Sequence, residues 1–183
     1  MSKSSAKRYG LPFIALALLA LAALACDMQY IPPDGGSSGS SGGAPVNADE
    51  VGRVVSVIDG DTIDVDINGS VERIRYVGVN TPERDEPCYQ EAKQANAAMV
   101  QGQTVSLVRD VSETDRYDRL LRFVYVGSTF VNAELVRSGW AEAVLYEPDD
   151  AHHDEFVSLE SAAANANLGC HATGIFDDGS STR

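Results

Sequence analysis

Positive charge is what this sequence has least of. Lysine and arginine number 14 in 183 residues against 27 aspartates and glutamates, and beyond residue 25 the only lysine is Lys93. Removing residues 1–25 takes away three basic residues and no acid, leaving 11 against 27, a formal charge of −16. A field of that sign opposes polyanions, because nucleic-acid binding draws most of its affinity from neutralised phosphates. A general basic coat is excluded, and any phosphate site has to gather its cations locally. Cysteine is also scarce: the three present show no Cys-x-x-Cys or Cys/His spacing, which argues against a structural zinc site. No apolar run reaches the roughly 20 residues that a spanning helix needs, and no internal repeat is evident.

What is present begins with a leader. Lys3, Lys7 and Arg8 precede the apolar run "LPFIALALLALAALA" and small residues, the layout of a secretory signal over residues 1–25. Ala23-Leu24-Ala25 satisfies an Ala-x-Ala cleavage site, while Cys26 directly after it resembles the lipid-acceptor cysteine of bacterial lipoproteins. The expectation is an exported protein, anchored in the cell envelope by lipid at Cys26, or secreted if cleaved at the Ala-x-Ala site. Residues 26–50, with "PPDGGSSGSSGGAPVNADE", have nothing to bury and read as a flexible tether. A single domain is expected over 51–176, with a disordered tail at 177–183. Outside the cytoplasm Cys88 and Cys170 are expected to form a disulfide, worth about 3–4 kcal/mol in the chain-entropy model.

Within the domain, "VGRVVSVI" (51–58) reads as a strand, and "TIDVDI" (62–67) alternates apolar and acidic residues at a period of two. Asn68-Gly69 supplies a tight hairpin turn into "VERIRYVGV" (71–79). A helix is expected over 88–101, strands over 104–110 and 120–126, and helices over 128–139 and 150–169. This order gives an antiparallel barrel with appended helices. His152 and His153 are expected on a solvated helix face, and Trp140 in core or rim packing.

The hairpin register sorts two arginines. A two-residue turn places Asp64 opposite Arg73 and Thr62 opposite Arg75. Arg73 then has an ordinary ion pair, whereas Arg75 shares a half-buried lane with Val77 and Val79 and needs an anion. Asp59 and Asp61 flank Gly60 at one end of this hairpin, where Asn80, Thr81 and Glu83 also leave the partner strand. Such a set of oxygen donors suits a hard cation such as Ca²⁺. "ETDRYDRLLR" (113–122) adds Arg116 and Arg119 around Tyr117, and a guanidinium fork matches two phosphate oxygens.

"VIDGDT" (57–62), "IRYVGVNTPE" (74–83), "DRYDRLLRFVYV" (115–126) and "VNAELVRSGWA" (131–141), in this order and spacing, resemble the staphylococcal-nuclease-like (thermonuclease) family. The resemblance covers roughly 51–176 and implies an OB-type five-stranded barrel with three helices. It further implies a Ca²⁺-dependent nuclease that cleaves single-stranded or frayed DNA and RNA to 3′-phosphate ends, acting as a monomer. By the same resemblance Asp61, Asn80 and the Thr81 carbonyl are metal ligands, Glu83 is the base for the attacking water, and Arg75 and Arg119 hold the phosphate. Tyr117, Tyr146 and Arg116 fall near nucleotide-contacting positions. Two departures stand out. Asn80 replaces a carboxylate, so Asn80→Asp is expected to tighten Ca²⁺ binding, and Asp118 replaces a glycine beside Arg119. The rival readings are a non-catalytic OB-type module that binds nucleic acid or peptides, and a structural envelope lipoprotein. Arg75, Glu83 and Arg119 together favour the enzyme, since a binder has no need of a carboxylate beside its phosphate site.

Overall fold

The computed structural model describes residues 47–177. The predicted signal segment, Cys26, nearly all of the tether and residues 178–183 lie outside them. In chain order the elements are β1 (Glu50–Val57), β2 (Thr62–Ile67), β3 (Ser70–Tyr76), β4 (Val79–Asn80), α1 (Tyr89–Val100), β5 (Thr104–Val108), β6 (Leu120–Val126), β7 (Thr129–Phe130), α2 (Val131–Arg137), β8 (Glu142–Ala143), α3 (His153–Asn165) and a 3₁₀ helix (Gly169–Thr173). Among the described residues no helix is long and apolar enough to cross a membrane.

Five strands close into a barrel. β2 pairs with β1 and β3, and β5 with β1 and β6, all antiparallel. Closure is the exception to the antiparallel expectation: β3 meets β6 in parallel through Ile74↔Leu120, Arg75↔Leu121 and Tyr76↔Arg122. Asn68 (φ 55°) and Gly69 (φ 91°) make the turn between β2 and β3 with both residues at positive φ, as a two-residue hairpin loop requires. The register that follows sets Thr62 against Arg75, Ile63 against Ile74 and Asp64 against Arg73. Ile63, Val65, Ile74, Val105, Leu107 and Val124 point inward and are fully buried. Each such side chain stabilises the fold by about 1.5–3 kcal/mol relative to exposure. Gly52 lets β1 and β2 approach, since a Cβ there would sit 2.5 Å from Val65 Cγ1.

The helices cap the barrel through polar as well as apolar contacts. Buried Asn132 on α2 accepts from the Val124 N–H (3.0 Å) and donates to the Val77 carbonyl (2.9 Å), tying the helix to β6 and to the turn after β3. Buried Asn96 on α1 accepts from the Tyr76 hydroxyl (2.9 Å) and donates to the Asp59 carbonyl (3.0 Å). The disulfide Cys88–Cys170 links the start of α1 to the 3₁₀ helix across 82 residues of sequence. Trp140 packs against the core.

Three local outcomes differ from the sequence expectation. β3 stops at Tyr76, and after a turn through Gly78, at φ 74°, the short β4 pairs with β8 rather than extending the barrel strand. The helix expected from residue 128 starts at Val131, because Thr129 and Phe130 pair with Val126 and Tyr125 instead. His152 is only partly solvated: its side chain is 32% exposed with Nδ1 2.9 Å from Glu155 Oε2, while its ring lies 4.7 Å from Phe123, 4.8 Å from Phe130 and 5.9 Å from Phe156, centroid to centroid. Burying the aromatic edge of β6 and β7 under the start of α3 outweighs solvating one half-polar ring.

Candidate active site

The site begins at the turn between β1 and β2. The N–H groups of Ile58 and Asp59 both donate to the Thr62 carbonyl, at 3.0 and 3.3 Å, folding "DGD" into a tight loop. Gly60 is required there, because a Cβ would come within 2.7 Å of the Thr81 side chain. That close approach brings Thr81 to Asp61, whose Oδ2 accepts from the Thr81 N–H (2.8 Å) and hydroxyl (3.0 Å). Asp61 Oδ1 accepts from the Thr62 hydroxyl at 3.2 Å. Burial, and then the charge of Asp61, push the neighbouring Asp59 carboxyl up from 3.8 to about 6.

Arg75 enters the same corner from β3. Its side chain is only 10% exposed and sits 3.3 Å from Asp61 Oδ2. Nη1 donates to the carbonyls of Tyr76 (2.7 Å) and Val79 (2.8 Å), and Nη2 donates to Asn80 Oδ1 (3.2 Å). The anion that the strand register leaves unassigned is therefore Asp61, one residue before β2, where the chain has left the pleat. Arg73 is the outward ion pair with Asp64, at 2.8 Å and half exposed.

The facing wall comes from the loop before β6. Asp115 organises it, accepting from the backbone N–H groups of Tyr117 (2.9 Å) and Arg119 (3.0 Å) and from Arg119 Nε (2.6 Å). Burial alone would raise the Asp115 carboxyl, but these donors hold it below its ordinary value. Asp118 closes the loop at φ 61°. Arg116 and Arg119 lie 4.8 and 5.5 Å from the centroid of the exposed Tyr117 ring. Asp149 fixes the root of the loop by accepting from the N–H groups of Val111 (2.9 Å) and Ser112 (2.8 Å).

Between these walls lies a cleft of about 650 Å³, within the range of small-ligand sites. Asp61, Arg75, Glu83, Arg116, Tyr117, Arg119 and Tyr146 all line it. Glu83 is exposed, and its backbone is held by its N–H donating to Glu86 Oε2 (2.7 Å) and by its carbonyl accepting from the Glu86 N–H (2.9 Å). Asn80 and Thr81 are buried behind the wall, at 1% and 2% exposure. Asp59, Asp115 and Asp149 also line the cleft; sequence reasoning gave no role to the last two. Their signal was weak: Asp115 stands four residues before Arg119, and Asp149 serves a loop 37 residues away.

The donors available to a cation are carboxylate, amide and backbone oxygens, which match a hard divalent ion rather than a soft one. The pressed Asp59–Asp61 pair is an electrostatic arrangement that such an ion relieves. Among the described residues no cluster of three or more His, Cys, Asp or Glu side chains is gathered as a ready ligand set. An ion here would rely on one or two carboxylates completed by neutral oxygens and water.

The profile of the family described as staphylococcal nuclease homologue matches residues 73–172, more than half of the chain, including Arg75, Glu83 and Arg119 but not the Asp59–Asp61 turn. The chain belongs to the staphylococcal nuclease family. Relatives agree with that membership. A thermonuclease of Staphylococcus intermedius is 36% identical over 155 residues, covering 81% of this chain and 89% of its own length. One of Staphylococcus hyicus is 34% identical over 117 residues, or 61% of this chain and 69% of its own. A micrococcal nuclease of Shigella flexneri is 34% identical over 136 residues, or 68% and 75%. The five-stranded barrel with three helices is consistent with the OB-type fold of this staphylococcal nuclease family.

Proposed function

We propose that the protein is an exported, calcium-dependent phosphodiesterase that hydrolyses DNA and RNA in single-stranded or frayed form. The observation that carries this reading is the convergence of Arg75, Arg119, Asp61 and Glu83 on one cleft, in a family whose relatives are named thermonuclease and micrococcal nuclease. Arg75 and Arg119 both line the cleft, so that a phosphodiester bound there would lie between two guanidinium charges. They would offset the charge that grows on the phosphoryl oxygens in the transition state. Glu83, exposed on the loop after β4, would accept the proton of a water directed at phosphorus, in line with departure of the 5′ oxygen and leaving a 3′-phosphate. Tyr117 and Tyr146 offer aromatic faces to the flanking nucleotides. Asp61, Asn80 and the Thr81 carbonyl would hold the calcium ion, with Asp59 beside them. When bound, calcium supplies Lewis-acid stabilisation of a phosphoryl oxygen. Lipid attachment at Cys26 and action as a monomer at the cell envelope complete the reading.

The test is hydrolysis of single-stranded DNA and RNA with Ca²⁺ or with EGTA, beside Glu83→Gln. Cleavage should require Ca²⁺, leave 3′-phosphates, and fall by about 10²–10⁴ in the variant. Because Glu83 is exposed, the variant's stability should be unchanged. A fully active Glu83→Gln protein overturns the mechanism, and an inactive wild type that still binds oligonucleotide shifts the reading to a binding module.

A further inference from the structure

Behind the cleft, Asn80 connects the site to a carboxylate that nothing above uses. Asn80 on β4 pairs with Glu142 on β8, and its Nδ2 donates to Glu142 Oε1 at 2.9 Å. Its Oδ1 faces the other way and accepts from Arg75 Nη2 at 3.2 Å. Arg75 in turn meets Asp61 at 3.3 Å. All four residues are buried: Glu142 is 4% exposed, Asn80 1%, Arg75 9% and Asp61 5%.

An amide in this row has one acceptable orientation. Turned over, its NH₂ would face the guanidinium, donor against donor, and its carbonyl oxygen would face the Glu142 carboxylate, acceptor against anion. In so buried a place both ends would be left unsatisfied. The geometry points to Glu142 as a positioning residue for the site. Its carboxylate fixes the Asn80 carbonyl oxygen toward Arg75, and it places a buried acidic group one side chain behind Arg75. The calcium side of this assignment rests on the function proposed above; the orientation of Asn80 does not.

This changes the expectation for Asn80→Asp. A second carboxylate would stand where an N–H now spans 2.9 Å to Glu142, so like charges would meet in a buried place. The favourable change is the pair Asn80→Asp with Glu142→Gln, in which the Gln NH₂ donates to the new carboxylate. That swap keeps the hydrogen bond and the net charge while moving the negative charge forward, next to Arg75 and Asp61.

Wild type, Asn80→Asp, Glu142→Gln and the double variant are compared in the full-length protein. In EGTA, Asn80→Asp should lower the urea midpoint and the double variant should recover it, a non-additive pattern independent of any metal. In Ca²⁺ titrations by calorimetry, Glu142→Gln should weaken binding several-fold. The double variant should bind about tenfold more tightly than wild type, equivalent to about 1.4 kcal/mol. If Glu142→Gln alone does not fold, recovery by the double variant over Asn80→Asp still decides the point. Additive effects in EGTA, or an Asn80→Asp protein as stable as wild type, overturn the inference even where the wild type binds Ca²⁺ and cleaves. A wild type that neither binds Ca²⁺ nor cleaves, with the coupling in EGTA intact, overturns the proposed function and leaves Glu142 as the residue that orients Asn80.

Discussion

Replacing Asp59 by asparagine should make the metal-free protein more stable. Burial first, and the adjacent Asp61 second, push the Asp59 carboxyl up from 3.8 to about 6, while the Asp61 N–H, the Thr62 hydroxyl and the Arg75 charge pull it down less strongly. Arg73 and the buried Tyr76 phenol are further titratable groups within its field. A carboxyl with a raised folded-state pKa holds its proton more tightly in the folded chain than in the unfolded one. Its contribution to stability therefore falls as pH rises from 3.8 toward about 6 and stays lowered above that window. At about 1.36 kcal/mol per pH unit the interval corresponds to roughly 3 kcal/mol, and partial solvent contact of the side chain reduces it to about 1–2 kcal/mol. Urea unfolding in EGTA should accordingly show Asp59→Asn more stable than wild type by about 1–2 kcal/mol near neutral pH, with the gain shrinking toward zero by about pH 4. A variant no more stable than wild type at neutral pH refutes the reasoning. So does a gain of equal size at both pH values, because that would not come from the charge.

Asp118→Gly should stabilise by about 0.5–1 kcal/mol in the same assay, since an L side chain at φ 61° is relieved by glycine. It also removes an anion beside Arg119, so KM for a short oligonucleotide should fall; a loss of stability would argue against strain at this position. Gly78→Ala should destabilise by about 2 kcal/mol or more, because φ is 74° and the new Cβ would lie 2.7 Å from Phe156 Cε2. An unchanged thermal midpoint for that variant would mean that α3 is free to shift away from the strand.

How much of this was legible in the sequence depended on how far each partner lay along the chain. The Asn68-Gly69 turn fixes the register, and the register alone separates Arg73 from Arg75. It does not name Asp61 as the partner of Arg75, because pairing rules apply within the pleat and Asp61 lies in the turn before it. Glu142 is 62 residues from Asn80, and its strand is two residues long, too short to show a period. Arg122 is a sharper case. It interrupts the apolar run "LLRFVYV" yet is 1% exposed, with two hydrogen bonds to Glu50 at 2.7 and 2.8 Å, a further bond to the Glu113 side chain, and carbonyl contacts to Glu113 and Leu121. A cation in a strand pattern signals that a counter-ion exists, and only the closed barrel shows which one.

The acidity of the chain, which first argued against a nucleic-acid ligand, takes a different meaning at the cleft. Arg75 and Arg119 each meet a resident carboxylate before any substrate arrives, at 3.3 and 2.6 Å. Those carboxylates hold the guanidiniums in position, but they also cancel much of the field that would attract a phosphate from a distance. Phosphate recognition here thus depends on close contact with the two guanidiniums more than on attraction over distance. On the proposed reading a divalent cation supplies the remaining positive charge, at the point where Asp59 and Asp61 repel each other. The cost of the Asp59 charge is then not incidental to the site: burial first, and repulsion by Asp61 second, keep the metal-free fold below its attainable stability, and a cation bound beside them would offset both, so Asp59→Asn should gain stability and lose cation affinity through the same carboxylate.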